Sequence, residues 1–204
     1  MGVAQQSANR VRTWQRTLWQ RYLRPYVFIH INKTGGTSIE KALGISQDHS
    51  TALEKYQQLG AKAWRRKFVF SIVRNPWDKV VSHYHYRVKT NQTGLGDKTI
   101  PFREWVLRCY RDQDPQYYDQ PRMFMPQWHW LVDEQDQLLV EFVGKLETLN
   151  EDFSSICARL SIDASLGHVK PSSRSHYQAY YDSETQGLIA ERFARDIEAF
   201  SYQF

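Results

Sequence analysis

The sequence contains few cysteines and no long apolar run, and each absence limits the class of protein. Only Cys109 and Cys157 occur among the 204 residues, so nothing points to a disulfide framework and we expect two buried free thiols. No apolar stretch approaches the roughly 20 residues of a membrane span. Residues 1–24 also lack the apolar core of a signal peptide. We therefore expect a soluble, cytoplasmic protein.

Metal-ligand spacings, internal repeats and low-complexity tracts are also missing, whereas aromatic residues and positive charge are plentiful. Seven Trp, twelve Tyr and ten Phe argue for a folded core rather than disorder. The net charge of +5 suits an anionic ligand. Nucleic acid would also suit this charge, but no zinc-ligand spacing or other nucleic-acid module is present, so we expect no such partner.

The length predicts one domain, residues 25–204, preceded by a basic amphipathic helix in residues 1–24. Apolar side chains of the N-terminal segment fall on one helical face. They are Val11, Trp14, Leu18, Trp19 and Leu23. We expect this helix to pack on the domain, and the alternative is a helix that contacts a membrane surface or a partner.

An apolar run followed by a short loop with one cation is the most informative segment. Tyr26–Ile31 is rich in β-branched and aromatic residues and predicts a buried strand. Gly35–Gly36 allows a tight turn, and we expect Thr37 or Ser38 to cap the following helix. Backbone N–H groups, the helix N-terminus and the Lys33 ammonium together favour a phosphate-like anion.

The order of residues in this loop differs from the phosphate loop of NTPases. That motif places lysine after the glycines, in Gly-x-x-x-x-Gly-Lys-Ser/Thr. Lys33 instead precedes both glycines, and no glycine lies in the four positions before it. A nucleotide kinase or other NTPase is therefore disfavoured but stays as an alternative. An ordinary strand–turn–helix junction with an exposed lysine is another.

A second apolar run, residues 67–73, predicts another buried strand that ends at Arg74. The carboxyl end of a strand is where open α/β sheets bind ligands. Asn75 is a good helix cap, Pro76 suits the first helical turn, and Ser82 lies about two turns further along. A guanidinium with a hydroxyl suits a second phosphate. The competing interpretation is a surface ion pair and an ordinary helical serine.

The rest of the chain alternates between apolar runs and helical segments, which predicts an α/β fold with a central parallel sheet flanked by helices. Residues 138–143 predict a third strand, closed by Gly144. Asn150 is expected to cap a helix that ends at Leu160. A capping box at residues 183–186 predicts one last helix.

Taken in order, these segments resemble the sulfotransferase family, in particular its Golgi carbohydrate type, which includes the heparan sulfate 2-O- and 6-O-sulfotransferases, and its bacterial relatives. Residues 26–38 resemble the 5′-phosphosulfate loop of the family, and residues 68–84 its 3′-phosphate segment, Arg-Asn-Pro-Trp-Asp-x-x-x-Ser-x-Tyr. The resemblance continues through residues 126–127, 141–147, 150–153, 168–170, 180–185 and 196–204. It departs at Asn32, where the family usually has proline.

The resemblance implies a P-loop-like strand–loop–helix that binds phosphosulfate, and an activity that uses it. The sulfuryl donor would be 3′-phosphoadenosine 5′-phosphosulfate (PAPS), and the nucleotide product 3′-phosphoadenosine 5′-phosphate (PAP). The acceptor would be a carbohydrate or another hydroxyl-bearing molecule, and the basic charge would accommodate an anionic one. Fixed cations would supply the electrostatic stabilisation, so we expect no metal. The Golgi relatives carry a membrane anchor that is not seen here, so we expect a bacterial protein.

Carried over residue by residue, the resemblance assigns roles to both phosphate segments. Lys33 would be catalytic and would bind the donor, while Arg74 and Ser82 would bind the 3′-phosphate. The 5′-phosphate would be held by Thr34, Gly35, Gly36, Thr37 and Ser38. Lys170 and Ser173 would contact donor phosphates from a loop near the C-terminus.

An acceptor hydroxyl also needs a general base, and histidine is the usual choice near neutral pH. The resemblance places this role on His49, with a plain surface histidine as the alternative and Glu40 as a second candidate base. We expect acceptor contacts from residues 88–100, interpreted as a mobile loop, and from residues 112–130. A catalytically inactive module that binds a nucleotide or a polyanion is a further alternative.

Overall fold

A computed structural model describes residues 23–167 and 175–204. All but the last two residues of the predicted helix 1–24 lie outside the described residues, as do Lys170 and Ser173. No helix of the described segments is long and apolar enough to cross a membrane.

Three parallel strands form the sheet, in the order β1–β2–β3. Strand β1 spans Tyr26–Ile29, β2 spans Phe68–Val73 and β3 spans Phe142–Lys145. Every residue of β1 and β2 is buried, as is usual for a parallel sheet covered on both faces. The predicted central parallel sheet is confirmed. Strand β2 pairs with β1 on one side and with β3 on the other, so it lies in the middle of the sheet.

The third strand begins later than predicted. Leu138 pairs with Val132 in an isolated antiparallel bridge instead of joining the sheet. Leu138 is also largely exposed, so the apolar run beginning there is not buried over its whole length. A short apolar run does not reveal which of its residues find a partner strand.

The helices alternate with the strands. They are α1 (Gly36–Ala42), α2 (Ala52–Leu59), α3 (Ala61–Trp64), α4 (Pro76–Lys89), α5 (Phe102–Val106), α6 (Leu149–Leu160), α7 (Ser183–Arg192) and α8 (Ala194–Phe200). A π-helical turn, Leu107–Arg111, extends α5. Short 3-10 turns occupy Gln92–Gly94, Pro121–Phe124, Trp128–Trp130, Leu146–Thr148 and Tyr177–Tyr180.

Two predicted helix starts differ from the observed ones. Helix α1 begins at Gly36 after Gly35, and no side chain caps it, so the expected cap at Thr37 or Ser38 is wrong. Asn150 lies inside the first turn of α6, which begins at Leu149.

The predicted last helix is two helices. Its capping box begins one residue earlier than expected. The Asp182 carboxylate accepts from the Thr185 N–H, and the Thr185 hydroxyl accepts from the Asp182 N–H. The chain leaves the helical conformation at Phe193 (φ −110°, ψ 22°), which separates α7 from α8. Phe193 is fully buried, so the break coincides with a core contact.

Alternate strand residues face opposite sides of the sheet and build two apolar clusters. Phe28, Phe70 and Ile72 pack with residues of α1 and α6, whereas Ile29 and Val69 pack with residues of α2 and α3. A third cluster joins α4, α5 and α7. Both cysteines are buried free thiols, as predicted.

Candidate active site

The loop after β1 has a strained backbone. Lys33 adopts φ +67° and Gly35 φ +83°, and the first of these is uncommon for a residue with a side chain. The Thr34 hydroxyl is fully buried and donates to the carbonyl of Ile31 at 2.9 Å, which closes the turn. The loop thus fixes the backbone of Lys33 between β1 and α1.

Gly36 allows the loop to lie directly on a histidine ring. A Cβ atom at this position would come within 2.1 Å of the His30 ring. Any other residue would therefore push α1 away from the end of β1. The paired glycines serve two purposes, because Gly35 supplies the positive φ and Gly36 the close approach.

Arg74, at the carboxyl end of β2, joins the two segments that the sequence singled out. Its Nη1 donates to the carbonyl of Lys33 at 3.0 Å. Its Nε and Nη2 donate to Asp78 Oδ2 at 2.9 Å and 2.7 Å, one turn into α4. The ion pair of the competing interpretation is therefore present, and it positions the guanidinium against the Lys33 loop.

Side chains distant in sequence hold the backbone of Arg74. Gln127 accepts from the Arg74 N–H through Oε1 at 2.9 Å and donates to the Arg74 carbonyl through Nε2 at 2.8 Å. Asp196, fully buried, accepts from both the backbone and the side chain of Gln127. Burial raises the pKa of Asp196. Gln127 and Asp196 together fix the backbone at the end of β2.

Asn75 fixes the start of α4. Its Oδ1 accepts from the N–H groups of Trp77 and Asp78, as its predicted cap role requires. Its Nδ2 donates to the carbonyl of Gln203 at 2.8 Å, and its own N–H donates to Glu147 Oε1 at 2.7 Å. The C-terminus of the chain therefore supports the helix that carries Ser82.

Two histidines and a carboxyl group form a cluster at the end of β1. His30 Nδ1 lies 2.7 Å from Glu40 Oε1, and both side chains are buried. Burial, followed by the nearby His49, lowers the pKa of His30 to about 3. Burial also raises the pKa of Glu40. Glu40 is thus buried and paired with His30.

His49 packs over His30 with its ring centroid 4.4 Å away. Its Nδ1 lies 3.0 Å from the carbonyl oxygen of His30, and its Nε2 3.1 Å from Gln47 Nε2. A carbonyl oxygen only accepts hydrogen bonds, so Nδ1 must carry the proton. In the neutral ring, Nε2 therefore holds the lone pair that a general base needs, and this lone pair accepts a hydrogen bond from the Gln47 amide.

A cavity of about 270 Å³ opens between these groups. Lys33, Thr37 and His49 line it, so the structure brings together three residues that the sequence had picked out. The Lys33 ammonium lies 4.0 Å from the centroid of the Tyr86 ring, which orients it by a cation–π contact. Further lining residues are His30, Asn32, Gln47, His83, Gln92, Gln120 and Met123.

The other predicted site residues lie at different places. Arg74 contacts the Lys33 loop through the carbonyl of Lys33, and Ser82 is partly buried on α4. Trp128 and Trp130, which lie in the segment 112–130 expected to contact the acceptor, are buried in the core. Residues 88–100 begin inside α4 rather than as a loop, although Gln92 does reach the cavity.

Several cavity residues were missed by the sequence analysis. Tyr86 lies one turn beyond Ser82 on α4, and this spacing could have indicated a shared face. Asn32 donates to the carbonyl of Met123, 91 residues away, and no local pattern reveals such a contact. His83 also lines the cavity, and burial lowers its pKa well below the ordinary value.

Comparison with known proteins identifies the family of the chain. A model of the Sulfotransferase family matches residues 24–203. The chain belongs to the sulfotransferase family. In this family member, Lys33 and His49 line the same cavity. Membership of the Golgi carbohydrate type within the family stays a prediction.

Two individual proteins are similar to this sulfotransferase family member. An uncharacterized protein of Archaeoglobus fulgidus is 28% identical over 110 residues, which cover 53% of this chain and 80% of that protein. The crystal structure of a sulfotransferase from Alicyclobacillus acidocaldarius is 15% identical, with a TM-score of 0.46 over 89% of this chain and 79% of that one.

Proposed function

We propose that this protein transfers the sulfuryl group of PAPS to a hydroxyl group of a carbohydrate-like acceptor. Membership of the sulfotransferase family supports the reaction class. The observation that carries the proposal is the shared cavity, in which a cation and a histidine with a defined base nitrogen face the same space. Positioning and charge stabilisation would supply most of the rate.

The donor would bind along the Lys33 loop and the start of α1. Backbone N–H groups of Gly35–Ser38 would hold the 5′-phosphate, with the exposed Thr37 hydroxyl beside them. Arg74 and Ser82 would hold the 3′-phosphate from the end of β2 and from α4. Glycine at position 36 keeps the loop in this conformation, because the loop approaches His30 too closely for a side chain.

Lys33 would stabilise the negative charge that develops on the leaving nucleotide. Its positive φ and the hydrogen bond from Arg74 to its carbonyl hold its backbone in place. The contact with Tyr86 holds its ammonium at the cavity wall. A cation placed in advance costs little reorganisation when the charge moves.

His49 would accept the proton of the attacking hydroxyl group. The acceptor oxygen forms a bond to sulfur, the bond between sulfur and the bridging phosphate oxygen breaks, and that oxygen leaves with the electron pair as PAP. The proton goes to His49 Nε2, while the other proton stays on Nδ1 and keeps its hydrogen bond to the carbonyl oxygen of His30.

Calorimetric titration without magnesium tests the donor site. We expect PAP to bind at least tenfold more tightly than ADP or AMP, because only PAP carries the 3′-phosphate. Arg74→Ala should remove most of this preference, since it deletes the guanidinium. Lys89→Ala, an exposed lysine at the end of α4, serves as the control. Equal binding of the three nucleotides would contradict the proposal, and magnesium-dependent ATP turnover would favour an NTPase.

A further inference from the structure

We infer that Gln127 is a positioning residue for the proposed donor site. Its side-chain amide takes the place of a strand neighbour at the end of β2, and this aims the Arg74 guanidinium at the 3′-phosphate of the nucleotide. The inference rests on the proposed function, because it explains how the same donor site would distinguish a nucleotide with a 3′-phosphate from one without it.

Arg74 lies just beyond the part of β2 that the sheet supports. The pairing of β2 with β1 ends at Ser71, and its pairing with β3 ends at Val73. The backbone N–H and carbonyl of Arg74 therefore need hydrogen-bond partners from outside the sheet. A side chain keeps its direction only if the peptide that carries it is held, so these partners matter for the guanidinium.

The Gln127 amide supplies both partners. Its Oε1 accepts from the Arg74 N–H at 2.9 Å, and its Nε2 donates to the Arg74 carbonyl at 2.8 Å. A backbone N–H only donates and a carbonyl oxygen only accepts, so the amide satisfies Arg74 in one orientation and not in the flipped one. Gln127 is fully buried, which shields both hydrogen bonds from bulk water.

Asp196, in the first turn of α8, holds the amide in its turn. Its Oδ2 accepts from the Gln127 N–H at 2.8 Å and from Gln127 Nε2 at 3.2 Å. Its Oδ1 accepts from the N–H of Trp128 at 2.8 Å. Asp196 is fully buried as well, so another rotamer of either side chain would leave buried polar groups unpaired, which is costly. The amide therefore has one well-defined place.

The held backbone decides where the guanidinium of Arg74 lies. The guanidinium donates to Asp78 at the start of α4 and to the carbonyl of Lys33 in the loop after β1. It reaches both segments from the one point that the Gln127 amide fixes. Groups that bind a ligand must be held within about 0.5 Å of their productive position by supporting contacts. Loss of the Gln127 amide should therefore weaken a contact to the 3′-phosphate without removing any group from the proposed donor site.

Nucleotide binding to variants of the full chain tests the inference. PAP and AMP differ only in the 3′-phosphate, so the ratio of their affinities, measured by calorimetry without magnesium, reports that contact alone. Gln127→Met keeps the length of the side chain and removes both hydrogen bonds to Arg74. We expect this variant to lower the PAP-to-AMP affinity ratio about fivefold and to change AMP affinity less than twofold.

Three further variants separate positioning from general stability. Asp196→Asn keeps the size of the side chain but loses an acceptor oxygen, so it should lower the ratio about threefold and tests the inference even if Gln127→Met does not fold. Asp182→Ala uncaps α7 away from Arg74 and should leave the ratio unchanged. In the double variant Arg74→Ala with Gln127→Met, the ratio should equal that of Arg74→Ala alone, because the guanidinium that Gln127 positions is absent.

Two results would overturn the inference and leave the proposed function standing: a folded Gln127→Met with the wild-type ratio, or losses that add up in the double variant. Failure of the proposed function looks different, because the wild type itself would then bind PAP and AMP equally. Hydrogen exchange of the Arg74 Nε–H, followed by NMR without nucleotide, decides that case. Faster exchange in Gln127→Met would keep the positioning of Arg74 and remove only its 3′-phosphate role, whereas unchanged exchange would overturn both.

Discussion

At the residue scale, the site depends on a few residues whose conformational freedom is restricted by their contacts. Lys33 has a left-handed backbone, a guanidinium on its carbonyl and an aromatic ring under its ammonium. His49 has one ring nitrogen committed to a backbone carbonyl. Both residues line the cavity.

Replacing Lys33 should affect turnover more than donor binding. In Lys33→Ala we expect kcat to fall about 10²- to 10³-fold, because a preorganised charge at the leaving group is lost. Affinity for PAP, measured by calorimetry, should fall less than tenfold. Lys41→Ala, an exposed lysine in the last turn of α1, should leave both unchanged. Unaltered kcat in Lys33→Ala would rule out its catalytic role.

Replacing His49 should remove the base but keep the donor site. We expect His49→Ala to lower kcat about 10²- to 10⁴-fold, because the group that would take the proton of the acceptor hydroxyl is lost. PAP binding should persist, since His49 touches none of the proposed donor contacts. The exposed His129 provides the control variant His129→Ala. An unchanged kcat in His49→Ala would show that another group takes the proton.

At the element scale, helix α4 connects the stability of the fold to the proposed donor site. It begins at the proposed 3′-phosphate segment, and its cap Asn75 also bonds to the C-terminal Gln203. Its inner face is buried against α5 and α7, while Tyr86 reaches the cavity. Small shifts at its start should therefore appear as changes in ligand binding.

Removing this cap should cost both stability and donor affinity. Asn75→Ala should reduce the free energy of unfolding by about 1–2 kcal/mol, as helix caps usually do. It should also weaken PAP binding, because Arg74 precedes it directly. Asp182→Ala, which uncaps α7, is the matched control, with a similar loss of stability and unchanged PAP affinity. Urea unfolding and calorimetry measure the two quantities, and equal effects of both variants on PAP binding would refute the link.

Local chemistry determined which elements the sequence analysis predicted well. The cap at Asn75 and the turn at Gly35–Gly36 depend on neighbours in the sequence, and both are present. The break at Phe193 and the late start of β3 depend on packing against residues distant in sequence. Helical periodicity therefore predicted one helix where there are two, and the apolar run predicted a strand that begins too early. The base candidate His49 came from a resemblance, while its carbonyl partner is visible only in the structure.

At the scale of the whole molecule, buried neutral histidines make stability depend on pH. The pKa values of His30 and His83 are lowered, so below pH 6.5 the unfolded chain binds protons that the folded chain does not. Stability is therefore full above this pH and is lost as the pH falls, by about 1.4 kcal/mol per histidine per pH unit. The raised pKa of Glu40 acts in the opposite direction and offsets part of the loss.

The share of His83 can be measured by substitution. Between pH 7.5 and 5.5 we expect His83→Gln to lose about 1 kcal/mol less of its unfolding free energy than the wild type does, because glutamine takes up no proton. His129→Gln, at an exposed position, should behave like the wild type. Urea denaturation at the two pH values gives the comparison, and parallel losses in all three proteins would show that His83 does not titrate on unfolding.

The order of the strands has a consequence for how the protein is made. Residues 26–38 and 68–84 leave the ribosome early, yet β2 gains its second neighbour only with Phe142–Lys145, and the Arg74 backbone gains its supports only with Gln127 and Asp196. A nascent chain that stops before residue 142 would expose one edge of an apolar strand. The proposed donor loops are therefore synthesised early and reach their final conformation late, so chaperone contacts should concentrate on nascent chains of intermediate length.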